Sequence, residues 1–113
     1  MRILLTGATG FIGRALIVEL IQQNFNISIV VRQKTNLFPD KVKQFVVGDF
    51  ECNFDFSASL VKIDCVIHLA GKAHVIEKAK APALDEFRGI NTELTLNLAK
   101  QAVTAGVERF IFL

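Results

Sequence analysis

Residues Gly7-Ala8-Thr9-Gly10-Phe11-Ile12-Gly13 carry three glycines at G-x-x-G-x-x-G spacing. Between a strand and a helix, such a turn is suited to holding a diphosphate. Gly7 permits the tight exit from the strand. Gly10 lets the backbone approach the diphosphate, with Thr9 beside it. Gly13 lets the helix pack closely on the sheet. The free N–H groups and dipole of that helix then face the negative charge. A plain strand-to-helix turn with incidental glycines is the alternative. A phosphate-loop NTPase needs Gly-Lys-Ser/Thr at the end of its loop, and here Gly13 is followed by Arg14.

Other polar residues fall where apolar runs end. Arg32 closes the second run, with Lys34 near. In dinucleotide-binding sheets an acid at this place binds the ribose 2′-OH, and an arginine accommodates a 2′-phosphate. Arg32 therefore favours NADP over NAD, with a solvated loop charge as the alternative. Asp49, in Gly48-Asp49-Phe50, is placed to accept from an adenine amino group, with Phe50 beside the ring. A turn-forming aspartate is the other reading. His68-Leu69-Ala70-Gly71 closes the fourth run. Ala70 and Gly71 would let a cofactor pass close to the backbone, while His68, amid apolar neighbours, reads as a buried structural histidine. Lys72 and His74 open the following loop, either as substrate or cofactor contacts or as solvated charges. Asn91 lies on the apolar stripe of a long helix and needs partners there.

The elements that must position these groups alternate. Arg2–Thr6 is a short apolar strand. Residues from about Gly10 to Gln23 form a helix, with Phe11, Ala15, Val18 and Ile12, Leu16, Leu20 at helical spacing. Asn24 stops it. Asn26–Val31 and Lys41–Val47 read as strands, Phe56–Val61 as a short helical turn, and Cys65–Leu69 as a strand. The polar stretch Gly71–Pro82 reads as a loop. Leu84–Ala105 is helical, with Leu84, Phe87, Ile90/Asn91, Leu94, Leu98 and Ala102 on one stripe and Gly106 as its C-cap. Arg109–Leu113 begins a further strand. Short, continuously apolar strands alternating with helices predict an α/β fold, a doubly wound parallel sheet of order 3-2-1-4-5. The sequence stops in or just after the fifth strand, so residues 1–113 are expected to be a partial Rossmann-like dinucleotide-binding domain.

Composition bounds the rest. The chain has 113 residues, 51% hydrophobic, with a formal net charge of +2. That excess is too small to suggest a nucleic-acid footprint. No apolar run approaches the ~20 residues of a membrane span, nor the ~7–15 of a signal-peptide core. Two cysteines, Cys52 and Cys65, are too few for a disulfide scaffold or a zinc site, and they fit a reducing cytoplasm. There is no tyrosine. A methyltransferase-like α/β domain would place an acid where Arg32 stands.

These pieces resemble the extended short-chain dehydrogenase/reductase family, the nucleotide-sugar epimerases and dehydratases. The matching stretches are Thr6–Gly13, Gly48-Asp49-Phe50, His68-Leu69-Ala70-Gly71, Asn91 with Thr95-Leu96-Asn97-Leu98, and Gly106–Phe112, in the family's order across the chain. His68–Val75 is most similar to UDP-glucose or UDP-N-acetylglucosamine 4-epimerase-like proteins. Leu94 stands where the family often has glycine. The resemblance implies an NAD(P) cofactor, leaning to NADP through Arg32. The cofactor contacts would be Gly7, Thr9, Gly10, Phe11, Ile12, Gly13, Arg32, Asp49, Phe50, Leu69, Ala70, Gly71, Lys72 and Asn91. It also implies a UDP-sugar substrate, transient hydride transfer, a homodimer through the 84–105 helix, and no metal. The family's acid/base pair is Tyr-x-x-x-Lys, with a Ser/Thr after the fifth strand. With no tyrosine present, no catalytic residue is assigned and the chain alone is expected to be inactive. An NADP-sensing module on the same fold is the alternative function.

Overall fold

The computed structural model describes residues 1–48, 53–69 and 84–113, with side chains for all of these except 84–91. The elements are β1 (Arg2–Thr6), α1 (Phe11–Gln22), β2 (Asn26–Val31), β3 (Lys43–Val46), β4 (Cys65–His68), α2 (Leu84–Ala105) and β5 (Arg109–Phe112). The five strands form one parallel sheet of order β3-β2-β1-β4-β5. This is the expected doubly wound order. The third strand is shorter than expected at both ends, and the fourth ends at His68 rather than Leu69.

Both faces of the sheet are covered, because successive residues of a strand point to opposite sides. Ile3, Leu5, Ile27, Ile29, Val31, Cys65 and Ile67 pack on one face with Ile17 of α1, and Leu16, Leu20 and Ile21 close round them. Leu4, Val30 and Val66 point the other way, onto Leu94, Leu98 and Ala102 of α2. Phe56, Leu60 and Ile63 complete that second core. They lie in and beside the turns over residues 57–62, where the Leu60 N–H donates to the Phe56 carbonyl at 3.2 Å, the spacing of the single helical turn expected there.

Of the residues expected at helical spacing on α1, Leu16 and Leu20 pack on the core and the others do not. Phe11 is 91% exposed, and Ile12, Ala15 and Val18 also face outward. Gly13 and Ile17 face inward. Arg14, Glu19 and Gln22 share the outer side with Phe11, Ile12, Ala15 and Val18, so periodicity alone marks the packing face only loosely. Gly13 chooses it. A Cβ there would run into the Gly7 carbonyl oxygen and lie 2.7 Å from Ala8 Cα. The helix therefore rests on the turn through Gly13, and Ile17, one turn on, follows it into the core.

Chain reversals use left-handed residues. Asn24 (φ 62°) ends α1 and Gly106 (φ 86°) ends α2. The Gly106 N–H donates to the Val103 carbonyl, and the Val107 N–H to that of Ala102.

Candidate functional site

In a parallel sheet every strand delivers its last residue to the same edge. Here β1 delivers the glycine turn, β2 delivers Arg32 and β4 delivers Leu69. β1 lies between β2 and β4, so these three flank one another. Ligands bind beyond this carboxyl edge in open α/β sheets.

The turn itself is built from backbone. Gly7 has φ 75°, the left-handed region that favours glycine. The Gly10 N–H donates to the Gly7 carbonyl at 3.2 Å, and the Arg14 N–H to the Gly10 carbonyl at 3.0 Å. Gly10 is the N-cap of α1, in extended backbone, with no side chain capping the helix and no acid in its first turn. The first N–H groups of a helix have no partner within it. The positive end of α1 is thus left for a group from outside.

The three glycines have different physical reasons. Conformation requires Gly7 and packing requires Gly13. Neither requires Gly10: its φ is −75°, and a Cβ there would meet only the Gly7 carbonyl oxygen, at 3.4 Å. The absence of a side chain at Gly10 keeps open the space before a bare helix terminus. That cradle fits a diphosphate.

Further contacts brace the site. The Arg14 side chain donates from Nε to the Thr9 carbonyl at 3.1 Å, fixing the Thr9–Gly10 peptide of the turn. Beyond exposed Arg32, the loop is held to β3. Gln44 Oε1 accepts the Thr35 N–H at 3.0 Å, and Gln44 Nε2 donates to the Thr35 carbonyl at 2.7 Å. His68 is 1% exposed, and its Nδ1 is hydrogen-bonded to Thr6 Oγ1 at 2.6 Å. Its ring stacks on Phe112, with centroids 5.6 Å apart. Burial pushes its pKa down to about 4, so it is neutral at pH 7. This is the structural histidine that the sequence suggested. The Leu69 N–H donates to Thr6 Oγ1 at 3.1 Å.

The structure thus brings Gly7, Thr9, Gly10, Phe11, Ile12, Gly13, Arg32 and Leu69 to one edge. Asp49, Phe50, Ala70, Gly71, Lys72 and His74 lie outside the described residues. Asn91 lies within α2, and its side chain is outside the description. Thr6, Arg14 and Gln44 were not singled out from the sequence. Arg14 alone carried a signal, as a cation directly after the third glycine. On α2, Asn97 Nδ2 donates to the Phe54 carbonyl at 2.8 Å, and Gln101 Oε1 accepts the Phe56 N–H at 2.6 Å. Gln101 Nε2 also donates to the Phe54 carbonyl, at 2.7 Å. These amides tie the segment before β4 to the helix. Among the described residues, no group of three His, Cys, Asp or Glu could hold a metal, and no helix is long and apolar enough to cross a membrane.

Comparison with known proteins adds the following. The model of the NAD dependent epimerase/dehydratase family matches residues 3–113. The UDP-glucose 4-epimerase of Vibrio cholerae is 41% identical over 112 residues, covering 98% of this chain and 34% of that protein. A short-chain dehydrogenase/reductase superfamily protein from Agrobacterium tumefaciens, solved with bound NAD, is 28% identical with a TM-score of 0.74. That match covers 99% of this chain and 32% of the other. MoeE5 in complex with UDP-glucose and NAD is 28% identical with a TM-score of 0.72, over 99% of this chain and 36% of its own. The chain spans about a third of the length of these relatives.

Proposed function

The chain belongs to the NAD-dependent epimerase/dehydratase family, and we propose that it is the dinucleotide-holding part of a nucleotide-sugar epimerase or dehydratase of the UDP-glucose 4-epimerase kind. The observation that carries this is the glycine turn, where Gly10 keeps a space open before an uncapped helix N-terminus.

In this reading the N–H groups at Phe11, Ile12 and Gly13 receive the diphosphate, and Thr9 lies beside it. Gly7 and Gly13 hold the turn in shape. Arg32 meets the adenosine ribose end, and its charge favours the 2′-phosphate of NADP. Asp49 and Phe50 take the adenine. Leu69, Ala70, Gly71, Lys72 and Asn91 line the path toward the nicotinamide. The bound nicotinamide supplies reversible hydride exchange with a sugar carbon. The work of this chain is to bind and orient: the buried Thr6–His68 pair fixes the ends of β1 and β4 on which Leu69 is carried. The tyrosine that such chemistry uses as acid and base is not among these residues, since the chain has none. The substrate class is a UDP-sugar, and the assembly is a homodimer through α2.

A chimera tests this reading. The 112-residue matching stretch of the Vibrio cholerae UDP-glucose 4-epimerase is replaced by this chain, and interconversion of UDP-glucose and UDP-galactose is followed with added NAD or NADP. The chimera is expected to be active and the 113-residue chain alone inactive. A folded chimera with no turnover would count for a sensing module instead.

A further inference from the structure

We infer that the amino-terminal edge of the sheet carries a second anion site, fitted to a small phosphate-bearing molecule and separate from the glycine turn. All strands run parallel, so their first residues share the edge opposite the dinucleotide site. The two ends of β1 alone are roughly 13 Å apart at ~3.3 Å per residue. At this far edge, Arg2, Asn26, Ser28 and Lys43 from three strands join Lys41 and Lys62 in lining a recess of about 470 Å³. That volume falls within the ~300–1,000 Å³ of small-molecule sites.

The charge there is one-sided. Among the described residues, four cations line the recess and no carboxylate does. The neighbouring acid, Asp64, is engaged by the Arg2 backbone N–H at 2.8 Å and is not part of the wall. Gathering like charges in a concavity has an electrostatic cost, which a bound anion offsets. Strand alternation puts Arg2, Asn26, Ser28 and Lys43 on the same face as Leu4, Val30 and Phe45 of the second core. The apolar face therefore gives way to a polar, basic one at this end. Lys43 Nζ lies 4.9 Å from the centroid of the Phe45 ring, another residue of the wall. Lys62 has φ 60°, where glycine would relieve the backbone, yet a lysine stands there and lines the recess.

Three of the four cations are lysines, which bind phosphate as point charges. The Ser28 hydroxyl and Asn26 amide add donors of the kind phosphate oxygens accept. Concavity favours a soluble anion over the flat surface of a bilayer.

The test is a titration of the ¹⁵N-labelled protein with inorganic phosphate, at constant ionic strength and with saturating NAD. Saturable shifts are expected at the Ser28, Lys43 and Lys62 amides while the Gly10–Gly13 amides stay still. In Lys43→Glu/Lys62→Glu, affinity is expected to fall about tenfold or more, as loss of charge-assisted contacts implies. Lys62→Gly removes one charge while relieving its φ, so weaker binding by that variant would not reflect misfolding. Shifts confined to the glycine turn, or phosphate affinity unchanged in both variants, would overturn the proposal. So would lysine-dependent binding to phosphatidylcholine vesicles containing phosphatidic acid in the absence of any response to free phosphate.

Discussion

Thr6 and His68, 62 positions apart in sequence, face each other across the β1–β4 pairing and are hydrogen-bonded at 2.6 Å with both side chains buried. Thr6 Oγ1 also accepts the Leu69 N–H. One hydroxyl thus joins the ends of two central strands at the edge where the glycine turn begins. Thr6→Val keeps the shape and removes the oxygen. An orphaned buried partner costs ~1–3 kcal/mol, so this variant is expected to lose about that much in denaturant unfolding.

His68 makes stability depend on pH. Its pKa is about 4 in the folded protein against the ordinary 6.5. Between these values the unfolded chain binds a proton that the folded chain excludes. The contribution is fully present above pH 6.5 and is lost as pH falls from 6.5 to about 4. Its size is about 3 kcal/mol. Melting curves from pH 7.5 down to 4.5 should show a fall that His68→Leu flattens. Parallel curves for the two proteins would contradict this account of His68.

Gly13→Ala is expected to harm the fold itself. The added Cβ meets backbone atoms of Gly7 and Ala8, which cannot turn away as a side chain tip can. We expect a loss of about 3 kcal/mol, at the upper end for overpacking, read by urea unfolding.

The strand order was legible because each strand is a short, unbroken apolar run, as a sheet buried on both faces requires. Asn24 and Gly106 announced the helix ends. The face of α1 was only partly legible: Arg14, Glu19 and Gln22 mark a solvent side, but Phe11, Ile12 and Val18 share it. Only the backbone contact of Gly13 with the turn decides it. The Thr6–His68 pair was half legible. An apolar strand marked His68 as buried, but its partner depends on β1–β4 register. The contacts of Asn97 and Gln101 were not legible, since their partners, the Phe54 carbonyl and the Phe56 N–H, become neighbours only when the core closes.

Arg32 is expected to set cofactor preference. Calorimetry should show tighter binding of NADP than NAD, and Arg32→Asp should reverse the order. A charge-assisted phosphate contact of ~1.5–3 kcal/mol corresponds to about tenfold or more. Preference for NAD in the wild type, unmoved by the substitution, would make Arg32 a loop charge only.

Leu96 and Val103 of α2 are 53% and 77% exposed and share one helical stripe. They are the described apolar residues best placed for the proposed dimer. Leu96→Glu/Val103→Glu should sediment as a monomer where the wild type sediments as a dimer. A wild-type monomer, or a dimer that survives both changes, would remove α2 from the interface.

Gly10 is central to the proposed site, because its open space is demanded by neither conformation nor packing within the chain. The direct measurement is calorimetric titration of NAD and NADP into the wild type and into Gly10→Val, with unfolding curves of both. The backbone there is extended, so valine should cost the fold only about 1 kcal/mol, through the weaker N-cap. The wild type is expected to bind dinucleotide, and the folded variant is expected to bind none. Equal affinity in the two proteins would contradict the placement of the diphosphate at this turn.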